Sequence, residues 1–271
     1  MRVQCKDFKE QILQNIKEEV LKLNGKPKLT VIQVGDNPAS NKYVNNKLKT
    51  CESVGIVTSL IKLEETASEE ELVQAIKIFN HGNSNGTIVQ LPLPKHINAN
   101  RVMQHISPMK DVDCLTEVNI GRLHSGVPFV YPCTPLGCIK ILEEQLGVNL
   151  TGKNVLVLGR SNIVGRPLAS MLEQRNATVT LAHSKSDVDY DKYDIIISAI
   201  GQAKAIKVNN PNAILIDVGI NFDENGKMCG DFDLDNSVFK YATTTPGGTG
   251  VITCAMVCNN ILELYKKQGG R

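Results

Sequence analysis

Four apolar residues in a row, Val155-Leu156-Val157-Leu158, run straight into Gly159-Arg160-Ser161-Asn162-Ile163-Val164-Gly165-Arg166-Pro167. A run that is apolar at every position is covered on both faces, which is how a strand of a parallel sheet reads. Parallel strands need a crossover, and Pro167 suits the first turn of a helix that would supply it. The same grammar continues with strands near 178–182, 194–199, 213–218 and 241–244, preceded by a helix over 136–146 and closed by an apolar helix at roughly 252–266.

It also holds earlier in the chain. Phe8, Ile12, Ile16 and Val20, backed by Leu13 and Leu21, form a helical stripe ending near Asn24-Gly25. Strands are expected at Leu29–Val34, Ile56–Leu63 and Thr87–Gln90. Between them lie a helix from about Ser40 and one opened by the capping box Ser68-x-x-Glu71 and running through Phe79. Alternation of this kind predicts parallel sheets with covering helices. A length of 271 residues fits one large or two moderate domains. Topology, rather than composition, puts a boundary near 120–150.

Composition excludes more than it assigns. A net charge of +2 with dispersed lysines gives no electrostatic footprint for nucleic acid. No run reaches membrane-spanning length, and Met1 to Asp7 has no apolar signal segment, so the cytosol is the expected compartment. The eight cysteines form no Cys-x-x-Cys pair and the five histidines no His-x-x-x-His, so no metal site is expected. Cys254 and Cys258, at helical spacing in an apolar stretch, read as buried and reduced.

Two constellations carry chemistry. Tyr43 and Lys47 stand at i and i+4, about 6 Å apart at Cβ on one helix face. They flank the expected core line of Val44, Leu48 and Cys51 rather than joining it. Val89-Gln90-Leu91-Pro92-Leu93-Pro94 ends a strand and can lay an amide over that face. A lysine, a phenol and an amide together make a candidate proton-handling site. Taken singly, Lys47 is a solvated lysine and Tyr43 an edge-of-core aromatic; their combination with Gln90 reverses that reading.

The second is the turn after Val155–Leu158, whose backbone N–H groups at a helix N-terminus would face a pyrophosphate. Its spacing is Gly-x-Ser-x-x-x-Gly rather than Gly-x-Gly-x-x-Gly, so a glycine turn without a dinucleotide stays open as an alternative. The strand at 178–182 ends in His183-Ser184-Lys185, with no Asp or Glu at its tip for a ribose 2′-hydroxyl. Ser184, Lys185 and Arg160 offer donors and positive charge to a 2′-phosphate, which favours NADP over NAD.

Over essentially its whole length the chain resembles the bifunctional methylenetetrahydrofolate dehydrogenase/cyclohydrolase family. The likeness rests on Pro38-Ala39-Ser40-x-x-Tyr43-x-x-x-Lys47, Val89 to Pro94, Lys110-Asp111-Val112-Asp113, Pro132-Cys133-Thr134-Pro135, Gly159-Arg160-Ser161-x-Ile163-Val164-Gly165-x-Pro167, Asp217-Val218-Gly219-Ile220 and Thr245-Pro246-Gly247-Gly248. It implies an α/β protein of two domains. Residues 1–120 would form an N-terminal catalytic domain and 121–251 a Rossmann-type NADP-binding domain, with folate in the cleft between them. A helix over about 252–271 would pack back onto the first. It also implies oxidation of 5,10-methylenetetrahydrofolate with NADP, hydrolysis of the methenyl product to 10-formyltetrahydrofolate, and usually a homodimer.

Residue by residue, the resemblance makes Lys47 the catalytic lysine, Tyr43 the ring that stacks on or positions folate, and Gln90 the partner of Lys47. Asp113 would hold the pterin's amino-pyrimidine edge, with Val89 and Leu91 also at the substrate. Gly159, Arg160, Ser161, Ser184 and Ile220 fall on cofactor positions, and Pro246, Gly247 and Gly248 on a loop closing over the substrate. Two departures stand out. Cys114 occupies a position where the family usually has glycine, and strain is expected there if φ is positive. Gly248-Thr249-Gly250-Val251-Ile252-Thr253 replaces the usual Gly-Val-Gly-Pro-Met-Thr, which is expected to loosen the loop. An amino-acid or shikimate-type dehydrogenase and a non-catalytic folate- or nucleotide-binding regulator are the competing readings.

Overall fold

The computed structural model describes residues 1–270, apart from the side chain of Ala39. In chain order the strands are β1 (Arg2–Val3), β2 (Lys28–Val34), β3 (Val57–Leu63), β4 (Gly86–Val89), β5 (Asn154–Leu158), β6 (Thr178–Ala182), β7 (Ile195–Ser198), β8 (Ile214–Asp217), β9 (Asn221–Phe222), β10 (Met228–Cys229) and β11 (Tyr241–Thr243). The helices are α1 (Lys6–Leu21), α2 (Pro38–Ser53), α3 (Glu69–His81), α4 (Ala99–Met103), α5 (Glu117–His124), α6 (Cys133–Lys140), α7 (Gly165–Glu173) and α8 (Thr249–Lys267).

The chain divides into two compact units, Met1–Glu10 with Thr134–Thr253, and Gln11–Cys133 with Cys254–Arg271. The first ten residues join the unit of the later strands, and α8 contributes to both units.

The Gln11–Cys133 unit holds a parallel sheet in the order β3-β2-β4. β2 is buried along nearly its whole length, Thr30 and Gln33 included, as the middle strand between β3 and β4. Ile32 and Val34 pack with Leu72 and Ile76 of α3 and with Val102 and Met103 of α4. Ser68 caps α3, accepting from the Glu71 N–H while the Glu71 side chain accepts from the Ser68 N–H. On β4, a Cβ at Gly86 would lie 2.3 Å from Ile261 Cδ1 and 2.5 Å from Val112 Cγ2, so α8 reaches the sheet only because that position is glycine.

The other unit holds a six-stranded sheet ordered β1-β11-β8-β7-β5-β6, every pair parallel. Leu156, Leu158, Ile196 and Leu215 form its core with Ile206, Val208 and Phe232 from the later loops. The β9–β10 hairpin lies outside this sheet. α6 begins at Cys133 rather than 136 and continues through a π-helical turn over Ile141–Gln145. α7 begins at Gly165, two residues before the expected start, which leaves Pro167 within its first turn. All eight cysteines are buried and none is in a disulfide, with Cys51 Sγ 3.5 Å from Cys258 Sγ.

Candidate active site

α2 carries the first constellation. Pro38 opens the helix, and Asn37 Oδ1 accepts from the Ser40 N–H at 3.1 Å, satisfying a donor in the first turn. The buried line of α2 runs through Val44, Lys47 and Cys51, while Leu48 is only half-buried. Lys47 was expected beside the core face; it lies within it, 4% exposed. The reason is polar. Its Nζ donates to Gln90 Oε1 at 3.2 Å and sits 5.4 Å from the centroid of the Tyr43 ring. Gln90 Nε2 donates to the Leu91 carbonyl at 2.6 Å, which turns the amide oxygen toward the lysine. The Gln90 N–H continues the sheet by donating to Ile32 at 2.8 Å. Among the described residues, no carboxylate forms an ion pair with Lys47. A buried amine with one protein acceptor keeps further hydrogens for water or a ligand.

Tyr43 is half-buried. Burial first, then the neighbouring Cys254, Asp113 and Cys133, push its hydroxyl well above the usual phenol range. The phenol therefore stays protonated at neutral pH. It can donate, accept or stack, and it is no base.

Asp111 and Asp113, two residues apart, have different positions. Asp111 is 1% exposed and accepts from the Leu115 and Thr116 N–H groups, the Thr116 hydroxyl and Asn119 Nδ2, at 2.7–3.0 Å. Burial pushes its carboxyl up, and those four donors oppose the shift. Asp111 thus builds the turn, and Asp113 is the half-buried carboxyl beside Tyr43 and the Cys133 thiol. From α8, Asn260 Nδ2 donates to the carbonyls of Val112 at 2.9 Å and Tyr131 at 2.6 Å, holding that turn from behind. Cys114 has φ 57°. An L-residue there costs on the order of 1 kcal/mol relative to glycine, as expected for this departure. Val89, the last residue of β4, is buried, and Leu91, two residues beyond it, is half-buried.

The second constellation lies in the other unit and is mostly backbone. Gly159 has φ 101°, and a Cβ there would lie 2.7 Å from the Ala199 carbonyl oxygen. A Cβ at Gly165 would lie 1.8 Å from the Gly159 oxygen. Only glycines let this turn fold so tightly against the start of α7. Ser161 Oγ accepts from the Val164 N–H at 3.1 Å, closing the turn. Arg160, Ser161, Ser184 and Lys185 are exposed. His183 Nδ1 accepts from the Lys185 N–H at 3.1 Å, which shapes the loop after β6. Backbone and donor set both fit a dinucleotide phosphate.

Ile220, 53% exposed, joins Gly219, Met228 and Pro246 to Gly248 around one cavity of about 130 Å³. The resemblance gave Ile220 to the cofactor and Pro246 to Gly248 to the substrate. The structure brings these residues to one cavity within the unit of the six-stranded sheet. The N-terminal strap holds the loop: Gln4 Nε2 donates to Thr244 Oγ1 at 2.8 Å, and the Cys5 N–H donates to the Gly247 carbonyl at 2.8 Å. Nothing in the sequence marks Gln4 or Cys5 for this task, because β1 has two residues. The Thr249–Ile252 departure does not leave an open loop. These residues form the first turn of α8, where the Val251 N–H donates to Gly248 at 3.2 Å, a bond proline cannot make. Among the described residues no three His, Cys, Asp or Glu side chains gather as metal ligands.

The family model for the tetrahydrofolate dehydrogenase/cyclohydrolase catalytic domain matches residues 3–113, and that for its NAD(P)-binding domain matches residues 132–269. A relative from Rickettsia massiliae, named bifunctional protein FolD, is 42% identical over 274 residues, covering 96% of this chain and 95% of its own. A solved structure from Campylobacter jejuni, described as the bifunctional enzyme FolD, a methylenetetrahydrofolate dehydrogenase/cyclohydrolase, is 38% identical with a TM-score of 0.93 over 99% of both chains. The Trypanosoma brucei enzyme, solved with NADP cofactor and inhibitor, is 31% identical with a TM-score of 0.92, over 99% of this chain and 98% of its own.

Proposed function

The chain belongs to the tetrahydrofolate dehydrogenase/cyclohydrolase family, and from that premise we propose how its residues share two reactions. It oxidises 5,10-methylenetetrahydrofolate with NADP and hydrolyses the resulting 5,10-methenyl cation to 10-formyltetrahydrofolate. The observation that carries this reading is the buried Lys47 amine set between the Gln90 amide and the Tyr43 ring.

Oxidation asks little of acid–base groups, because a nitrogen lone pair of the substrate stabilises the developing cation. It asks for close alignment of the one-carbon bridge with the nicotinamide. When bound, NADP accepts the hydride from that bridge. Gly159, Arg160, Ser161, Ser184 and Ile220 bind and orient it, and Arg160, Ser184 and Lys185 select its 2′-phosphate. Asp113 accepts from the adjacent N–H donors of the pterin's amino-pyrimidine edge, with two oxygens for two donors. Tyr43 stacks on the ring system, Val89 and Leu91 line the substrate, and Pro246, Gly247 and Gly248 close over it.

Hydrolysis needs a group that manages protons. Water oxygen adds to the bridge carbon, the carbon–N5 bond breaks as the formyl C=O forms, and of the two protons water loses one is delivered to N5 and the other, carrying the cation's charge, leaves to solvent. Lys47 holds that water and carries the proton, with Gln90 fixing the amine's direction. Tyr43 stays protonated and serves as a donor or a stacking ring rather than a base.

The wider setting belongs to the same proposal: a cytoplasmic homodimer feeding one-carbon units to purine biosynthesis, with no nucleic-acid or membrane partner. Among the described residues no helix is long and apolar enough to cross a membrane. The test follows NADPH and 10-formyltetrahydrofolate in parallel from methylenetetrahydrofolate. Both are expected from one protein; NADP binding without either product would favour a regulator instead.

A further inference from the structure

A fully buried carboxyl group that neither reaction uses lies in the unit of the six-stranded sheet. Asp231 is 0% exposed. Its Oδ2 accepts from Ser198 Oγ at 2.7 Å and from the N–H groups of Ile200 at 2.9 Å and Gly201 at 3.4 Å. Its Oδ1 accepts from the Gln202 N–H at 2.9 Å and from Asn221 Nδ2 at 2.9 Å. One side chain thus takes five donors from two segments, the loop that leaves β7 and the strip that leaves β8.

Both segments border the dinucleotide site. The β7 loop begins at Ala199, whose carbonyl oxygen would lie 2.7 Å from a Cβ on Gly159. The β8 strip carries Ile220, which lines the cavity with Gly219. Glycines permit the approach. A Cβ at Gly219 would lie 2.1 Å from Asp231 Oδ1, and one at Gly230 would lie 1.9 Å from Asp217 Oδ2. Asp217 in turn accepts from the Asp231 and Phe232 N–H groups, both at 3.1 Å, which fixes the backbone of Asp231 itself.

We propose that Asp231 is a positioning residue for the cofactor: it ties the Ala199–Gln202 loop to the Gly219–Asn221 strip and so sets the spacing between two edges of the dinucleotide site. It touches no cofactor atom. Its oxygens act through the backbone of Ile200, Gly201 and Gln202 and through Asn221. The inference rests on the reading of this unit as the NADP site.

The test uses the full chain and two variants. In Asp231→Asn an N–H₂ group replaces one acceptor oxygen and faces donors, a loss that for a buried hydrogen-bonded group corresponds to roughly 10-fold or more in affinity. NADP affinity measured by calorimetry, and the KM for NADP, are expected to weaken by about that factor. Hydrolysis of methenyltetrahydrofolate, which uses no NADP, is read in the same protein and is expected to persist. Asn221→Ala removes a single donor and leaves Asp231 in place; about a threefold loss of NADP affinity is expected from one hydrogen bond. A folded Asp231→Asn protein with wild-type NADP affinity would overturn the proposal, as would equal losses of hydrolysis and NADP binding. If Asp231→Asn does not fold, unchanged NADP affinity in Asn221→Ala overturns it instead. A wild-type protein that binds NADP but turns nothing over would sink the proposed reactions and leave this comparison of affinities intact.

Discussion

Lys47 is 4% exposed and held by one amide, whereas Arg160, Ser161 and Ser184 stand in solvent around a turn whose tightness comes from glycine backbone. The two regions are made by opposite means. One places an amine in the core and gives it a single neutral acceptor. The other brings backbone segments closer than any Cβ would permit and leaves its side chains free to meet a ligand. A site of the first kind fails when a side chain is cut short. A site of the second kind fails when an atom is added.

That contrast can be broken at the glycines first. Gly165→Ala puts a methyl where 1.8 Å separates it from the Gly159 oxygen, so the turn must open. NADP affinity is expected to fall by about 100-fold or more, nearly 3 kcal/mol, while hydrolysis of methenyltetrahydrofolate survives. Wild-type NADP affinity in that variant would show that the close approach does not shape the site.

Next in size is a pH effect confined to the backbone-built region. Burial, with Asp231 nearby, pushes the Asp217 carboxyl up to about 6 against three backbone donors that oppose the shift. A folded pKa above the unfolded value favours folding at low pH, and that advantage is lost as pH rises through about 6. The full swing is about 3 kcal/mol. Urea midpoints of the wild type should therefore fall as pH rises from about 4 to about 6, the span between the unfolded and folded pKa values, and level off above it. The slope should flatten in Asp217→Asn, and an identical slope there would remove Asp217 as its source.

The smallest expected effect sharpens cofactor choice. Arg160→Ala should weaken NADP by about tenfold, the worth of one charge-assisted contact to a phosphate, and leave NAD nearly unchanged. Equal losses for both cofactors would remove the 2′-phosphate argument.

The sheets were legible because β5 and β7 are runs of branched apolar residues buried on both faces, and β2 is mostly so, with Thr30 and Gln33 as its buried polar exceptions. β1 was not, since two residues carry no period, and its pairing of Arg2 with Ala242 is set by the distant partner. The capping box of α3 was legible because its chemistry is local. The burial of Lys47 was not. Helical spacing gave the core line to Leu48, and the acceptor that draws the lysine inward comes from a strand forty-three residues away. Asp231 was invisible for the same reason. In Asp231-Phe232-Asp233-Leu234-Asp235 it reads as one acidic turn residue among three, and its five donors come from two other loops. Cys114 was the converse case, a departure from glycine that correctly flagged a positive φ.

The central claim is a division of labour in which Lys47 serves the hydrolysis and hydride transfer depends on cofactor placement. It is tested most directly in Lys47→Ala, supplied with methylenetetrahydrofolate and NADP, with NADPH and 10-formyltetrahydrofolate followed together. In that protein NADPH should still form while enzymatic hydrolysis drops by about 100-fold or more, toward the rate in buffer alone, so that methenyltetrahydrofolate accumulates. Formation of 10-formyltetrahydrofolate at the wild-type rate in that protein would contradict that division of labour.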